Sequence, residues 1–193
     1  MQTLLTNLAI ALTFGLVAAG CSSTPDLPPL SAPRHPDGSQ MIMLVHIEAG
    51  SGGDKQADAE AFLLSDLSGR LASYGWDAKI IDARETEEPH DYVAELNFEE
   101  FDPGNPDARK AGRIASRFGG ALGGGGDDAV TAAAARLKVA YRAVDKGKRS
   151  FSSGRIAKTS KRDWQQAVAW ASADIAYFIT KNLADHYGLR YRE

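Results

Sequence analysis

A chain of 193 residues with 44% hydrophobic and 24% charged content has the length of one domain with a true core, which excludes wholesale disorder. The single cysteine excludes an intramolecular disulfide and any cysteine metal cluster. The formal charge of −3 hides a split: residues 1–107 carry 5 Lys/Arg against 18 Asp/Glu, a net of −13, and residues 108–193 carry 17 against 7, a net of +10. Halves of opposite sign either attract each other in the fold or offer different partners different potentials, and the simpler expectation is that folding intermixes them.

Residues 4–20, LLTNLAIALTFGLVAAG, are apolar and uncharged, at the short limit for spanning a bilayer. Ala18, Ala19 and Gly20 then precede Cys21, and a polar segment rich in Ser and Pro follows. A short apolar core, a small-residue processing site and a polar exit make the layout of a secretory signal. With Cys21 immediately after the small residues, the segment resembles the bacterial lipoprotein signal. That resemblance implies that residues 1–20 are removed and that Cys21 becomes the lipid-modified first residue. Acyl chains on Cys21 would hold the protein at a membrane, and Ser22 in place of Asp implies the periplasmic face of the outer membrane. Residues 21–40 contain five prolines and few large apolar groups, which predicts a solvated, disordered tether. Its reach when extended is about 60 Å, at roughly 3.1 Å per residue.

The globular part is expected over residues 41–187, with 188–193 as a tail. MIMLVHI (41–47) is a continuous apolar run, as in a strand buried on both faces, with His46 a satisfied core imidazole. After a loop at 48–56, Phe62, Leu63, Leu67, Leu71 and Tyr74 recur at helical spacing over 57–74, and Gly75 stands where a C-cap belongs. A short strand at 78–82 and an acidic loop at 83–90 follow. In 91–100, Tyr92, Ala94, Leu96 and Phe98 alternate with polar or smaller residues, the period of a strand with one wet face.

Residues 101–128 open with turn residues and pass through the basic positions Arg109, Lys110, Arg113 and Arg117. They end in six glycines within eight positions. No G-x-G-x-x-G and no Gly-Lys-Ser/Thr can be placed there, and Asp127 and Asp128 would repel phosphate, so a flexible excursion is expected. Alternation resumes over 129–144, with Leu137, Val139, Tyr141 and Ala143 facing one way and Arg136, Lys138 and Arg142 the other. DKGK (145–148) predicts a turn and 149–159 a returning strand. Ser160 with Asp163 resembles a capping box before a helix over 164–183, whose apolar stripe includes Val168, Ala171, Ile175, Phe178 and Leu183. The fold class that results is α/β, a small mixed-sheet two-layer sandwich with two main helices.

The order of elements, the anchor, and the run from FDPGN through SRFGGALGGGG into a hairpin resemble an uncharacterised domain family of proteobacterial lipoproteins. That family is similar in layout to the amino-terminal domain of the translocation protein TolB and to the curli-secretion lipoprotein. The resemblance spans about residues 41–185 and implies an accessory role in the cell envelope, with the domain as a protein- or glycan-binding module.

No enzyme motif accompanies this frame. The histidines His35, His46, His90 and His186 are scattered without metal-ligand spacing, so no metal and no cofactor is expected. Glu99, Glu100 and Asp102 could form a carboxylate pair for glycoside hydrolysis, but a solvated acidic strand end is the expected reading. The basic residues Arg136, Lys138, Arg142, Lys146, Lys148, Arg149, Arg155 and Lys158 could line one hairpin face. Only Tyr141 and Phe151 could stack on bases there, so nucleic acid is not expected. An acidic envelope protein, anionic lipid or peptidoglycan carboxylates suit that face better. The expected function is a lipid-anchored, non-catalytic binding module. A subunit of an oligomeric envelope or secretion assembly and a small periplasmic glycan hydrolase, with Glu99 or Asp102 as acid, are the alternatives.

Overall fold

The computed structural model describes residues 29–50, 53–82, 87–105, 107 and 134–192. The signal segment, Cys21 and the glycine-rich part of 101–128 lie outside the described residues. The chain runs β1 (Ile42–Glu48), α1 (Asp54–Ser73), β2 (Asp77–Ile80), β3 (Tyr92–Asp102), β4 (Ala135–Asp145), β5 (Ser150–Ser160) and α2 (Trp164–His186). The five strands form one mixed sheet in the order β2-β1-β3-β4-β5. β2 and β3 both run parallel to β1, and the β3–β4 and β4–β5 pairs are antiparallel. The two described helices lie on one face of this sheet, giving the expected α/β two-layer sandwich.

The strand periodicity works as read. Tyr92, Ala94, Leu96 and Phe98 of β3, with Leu137, Val139, Tyr141 and Ala143 of β4, point into the helix-side core. Met43 and Val45 of β1 join them, while Leu44 is equally buried on the opposite face among Ile81, Val93 and Val144. α1 contributes Leu63, Leu67 and Leu71 at four-residue spacing, and α2 contributes Val168, Ala171, Ile175, Ile179 and Leu183. Each fully buried aliphatic side chain stabilises the fold by about 1.5–3 kcal/mol relative to leaving it exposed.

Both helices end the same way. Gly75 takes φ +97°, its N–H bonds to Ala72 O, and Trp76 N–H bonds to Leu71 O. Gly188 takes φ +65°, its N–H bonds to Asp185 O, and Leu189 N–H bonds to Ala184 O. A left-handed residue after the last turn lets two following amides satisfy carbonyls the helix leaves open, and glycine adopts it without steric cost.

Four readings need correction. α1 begins at Asp54, three residues before the expected start, because its N-cap is Gly53, which has no side chain to announce it. The cap of α2 is Asp163, whose carboxylate accepts from Gln166 N–H at 2.8 Å, rather than Ser160. Ser160 stands before the cap and accepts from Arg162 N–H at 3.1 Å while donating to Gln166 at 2.9 Å. Phe178 is 38% exposed, because the Ile175–Ile179–Leu183 stripe turns it away from the core.

The fourth correction concerns the tether. Residues 29–40 are docked on the domain. Ala32 is buried and donates its N–H to Tyr74 O at 2.7 Å. His35 meets the Asp91 carboxylate at 3.1 Å, and the same carboxylate oxygen accepts from Ile42 N–H at 2.8 Å. Pro29 forms a bridge with Arg192, so the entering chain and the C-terminal tail lie side by side.

Candidate functional site: the polar face of the sheet

Among the described residues both helices lie on one side, and no described helix covers the other face of the sheet. Alternation along the strands decides what stands there. From β1 come Ile42, Leu44, His46 and Glu48, and from β3 come Val93, Glu95 and Asn97. β4 adds Arg136, Lys138, Ala140, Arg142 and Val144, and β5 adds Arg155 opposite Ala140. Near the start of β1 this face is apolar, and Ile81, just after β2, closes over Leu44, Val93 and Val144. Farther along the strands it is polar.

The polar half is organised by ion pairs across β3 and β4. Arg142 Nε donates to Glu95 Oε2 at 3.1 Å. Lys138 Nζ lies 2.9 Å from Glu99 Oε2, and Arg155 Nε donates to Glu99 Oε1 at 2.5 Å. Glu99 reaches both cations because it is the extra residue of a bulge. Phe98 pairs with Val139 and Glu100 with Lys138, so two residues of β3 fit opposite one step of β4. The Arg155 and Lys138 hydrogen bonds hold the Glu99 carboxyl below the usual glutamate range, and Glu99 raises the Arg155 guanidinium in turn. Such exposed pairs fix geometry more than they add stability.

Beside this ladder lies an open hollow of about 340 Å³, lined by His46, Glu48, Glu95, Asn97, Ala140 and Arg142. Asn97 donates to Glu48 Oε2 at 3.1 Å across one rim. His46 Nδ1 stands 3.3 Å from Ile81 O. A hydrogen bond there fixes that nitrogen as the donor and turns Nε2 away from the carbonyl. His46 is therefore a half-buried residue of the wet face and not the satisfied core imidazole expected, because β1 alternates although its apolar residues conceal it. Among the described residues no three His, Cys, Asp or Glu side chains converge as a metal site.

The expected basic face divides in two. Arg136, Lys138, Arg142 and Arg155 share the polar face, with Arg136 in register opposite Asp102. Lys146, Lys148 and Arg149 stand at the β4–β5 turn, at the far end of the sheet, where Lys146 N–H bonds to Asp91 O at 2.9 Å and Arg149 N–H to Asp145 Oδ1 at 2.8 Å. Lys158 belongs to neither group, since it points to the helix side and meets Asp174 of α2 at 2.5 Å. The acidic first half and basic second half thus meet along the β3–β4 seam. Of the proposed hydrolase carboxylates, Glu99 is held ionised by two cations, and Asp102 Oδ1 accepts from Gly104 N–H at 2.8 Å within a turn.

Sequence reasoning missed the hollow's residues Glu48, Glu95 and Asn97. The period-two pattern of β3 was the available signal, for it sets Glu95 and Asn97 opposite the core residues.

No family model matches the chain, and no curated protein matches it. Among solved structures, the PelC dodecamer from Paraburkholderia phytofirmans is similar at 13% identity and a TM-score of 0.46, over 75% of this chain and 91% of that one. The crystal structure of an uncharacterised protein is similar at 9% identity and a TM-score of 0.40, over 80% of this chain and 99% of that one. These likenesses carry no argument about what this chain does. Among the described residues no helix is long and apolar enough to cross a membrane.

Proposed function

We propose that this chain is a lipid-anchored lipoprotein of the cell envelope, held by Cys21 at the periplasmic face of the outer membrane. It acts there without catalysis, as a binding or accessory module for another envelope component. The observation that carries the binding role is the polar sheet face with its hollow of His46, Glu48, Glu95, Asn97 and Arg142. A surface with charges of both signs, already arranged in pairs, suits a partner with charges of both signs, such as a protein surface or the peptide stems of peptidoglycan. Double-stranded or single-stranded nucleic acid would meet Glu95 and Glu99 on this face, which opposes its binding. The ionised Glu99 is poorly suited to donate a proton, which supports the non-catalytic reading over a glycan hydrolase. Support for the anchor comes from the sequence of residues 4–22 and the absence of a second cysteine.

A photo-crosslinking residue in place of Asn97, followed by capture from intact cells, tests this reading. One dominant envelope component, lost when Arg142→Glu disrupts the hollow, is the expected result. A crosslink pattern identical to that of a residue placed at Gly69 on α1 would defeat it.

A second reading, a subunit of an oligomeric assembly, is favoured by β5. This edge strand runs 11 residues, and α2 carries Trp170 (45% exposed) and Phe178 along it, either side of the Lys158–Asp174 contact. Long edges are usually blunted or paired. A monomeric mass in solution at all concentrations would remove this reading.

A further inference from the structure

The docking of residues 29–40 has a consequence for how the domain meets the membrane. We infer that the end of the domain where the tether enters is a second, electrostatic membrane contact that binds the anionic headgroups of phospholipids. The inference rests on the anchoring of Cys21 proposed above.

The length of chain between the anchor and the domain is short. Only the seven residues 22–28, eight chain steps, separate Cys21 from docked Pro29. Eight extended steps reach about 25 Å at roughly 3.1 Å each, against about 60 Å for a wholly free segment. The end of the domain carrying Pro29 is therefore confined near the bilayer.

That near end is assembled from parts of the chain remote in sequence. The C-termini of both helices, the starts of β1 and β3, the β4–β5 turn and the C-terminal tail all gather there. Pro29 bridges Arg192, Ala32 bonds to the last turn of α1, and Lys146 N–H bonds to Asp91 O. Tyr92 and Tyr187 hydroxyls meet at 3.0 Å.

Exposed cations gather there. Arg34, Lys146, Lys148, Arg149, Arg190 and Arg192 are exposed there, and none forms an ion pair among the described residues. The carboxylates of the same end stay charged but are held by local partners: Asp37 by Ser39, Asp77 by Lys79, Asp91 by His35 and Ile42 N–H, Asp145 by Arg149 N–H, and Asp185 by the Tyr191 hydroxyl. Lys138, Arg142 and Arg155 of the sheet face, by contrast, are paired with Glu95 and Glu99. Tyr187 and Leu189, 50% and 43% exposed, add an amphipathic ring and an apolar side chain between the cations. Cations near an anionic surface each strengthen attachment by about fivefold, and interfacial tyrosine suits the headgroup layer.

Lysine acylation read by mass spectrometry tests this on the purified full chain. The protein is reconstituted into vesicles of phosphatidylcholine alone or of phosphatidylcholine with phosphatidylglycerol. Lys146 and Lys148 should be acylated at least about threefold more slowly on the anionic vesicles, and high salt should abolish the difference. Lys55, at the opposite end on α1, should not change. Equal rates for Lys146 and Lys148 on both vesicles would overturn the inference. The exposed-tail variant Arg190→Glu/Arg192→Glu should lose the protection at an unchanged melting temperature, and protection that survives would overturn it as well. Intact mass reports separately whether Cys21 is acylated. Should it be unmodified, the anchor reading fails by itself, and co-flotation of that chain with the two vesicle types decides the contact. Tighter association with the anionic vesicles supports it, and equal association overturns it.

Discussion

Replacing Ser172 with alanine should stabilise the protein, and replacing Thr180 with valine should destabilise it. The two hydroxyls lie on the same helix, both with no solvent exposure. Thr180 Oγ1 accepts from the buried Trp76 indole N–H at 3.0 Å. Ser172 Oγ has no hydrogen-bond partner among the described residues. Burying an unpartnered hydroxyl costs about 1–3 kcal/mol on mutational scales, and alanine adds a few tenths in helix propensity. Losing one oxygen atom leaves a void that takes back only about 0.2 kcal/mol. Ser172→Ala should therefore gain about 1–2 kcal/mol. Thr180→Val keeps the shape but strands the indole N–H, at a cost of about 2 kcal/mol. Urea unfolding followed by far-ultraviolet circular dichroism measures both, and unchanged slopes would show that only stability moved. Ser172→Ala no more stable than the parent would refute the unpartnered hydroxyl. Thr180→Val as stable as the parent would refute the buried indole contact.

Two further outcomes follow from the ion pairs and the docked segment. Titrated by carbon NMR, Glu99 should ionise below the usual glutamate range, and Arg155→Met should move its midpoint upward. Because the folded state lowers this pKa, the group's contribution to stability is present above the ordinary glutamate range and is lost as the pH falls through the depressed value. An Arg155→Met midpoint equal to the parent's would show that the guanidinium does not hold the carboxylate. Asp91→Ala removes the acceptor of both Ile42 N–H and His35, so it should cost about 1–2 kcal/mol and loosen residues 29–40. Trypsin should then cut after Arg34 faster than in the parent, and an unchanged cutting rate would mean that Asp91 does not secure the segment.

What the sequence made legible was periodic and local. The alternation of β3 and β4 placed eight core residues, and the glycine after Tyr74 placed the end of α1. What escaped it depended on contacts between remote residues. Pro-rich composition reads the same whether a segment is free or docked, and the bonds that dock 29–40 reach to Tyr74 and Asp91. The basic hairpin could be read as a row of charges, but its pairing with Glu95 and Glu99 required the β3–β4 register, across 47 and 56 residues of sequence. The bulge that lets Glu99 serve two cations is a property of that pairing and leaves no mark on either strand alone. His46 was misread for a similar reason: a strand buried on both sides near its start turns wet on one side only where Ile81 stops covering it.

The proposed membrane contact and the proposed binding face constrain each other through the strand direction. The cationic end holds the starts of β1 and β3, and the hollow lies farther along those same strands, past the Leu44–Val93 cluster. A domain resting on that end stands with its sheet upright on the bilayer, so the polar face looks sideways along the membrane surface. Its partner is then met laterally, at the height of Glu48 and Asn97. From Met43 to Glu48 is five strand steps, about 17 Å at roughly 3.3 Å each. A crosslinker at Asn97 should therefore capture a component lying close to the membrane. Capture confined to components far from the bilayer would mean that the domain does not stand on its cationic end.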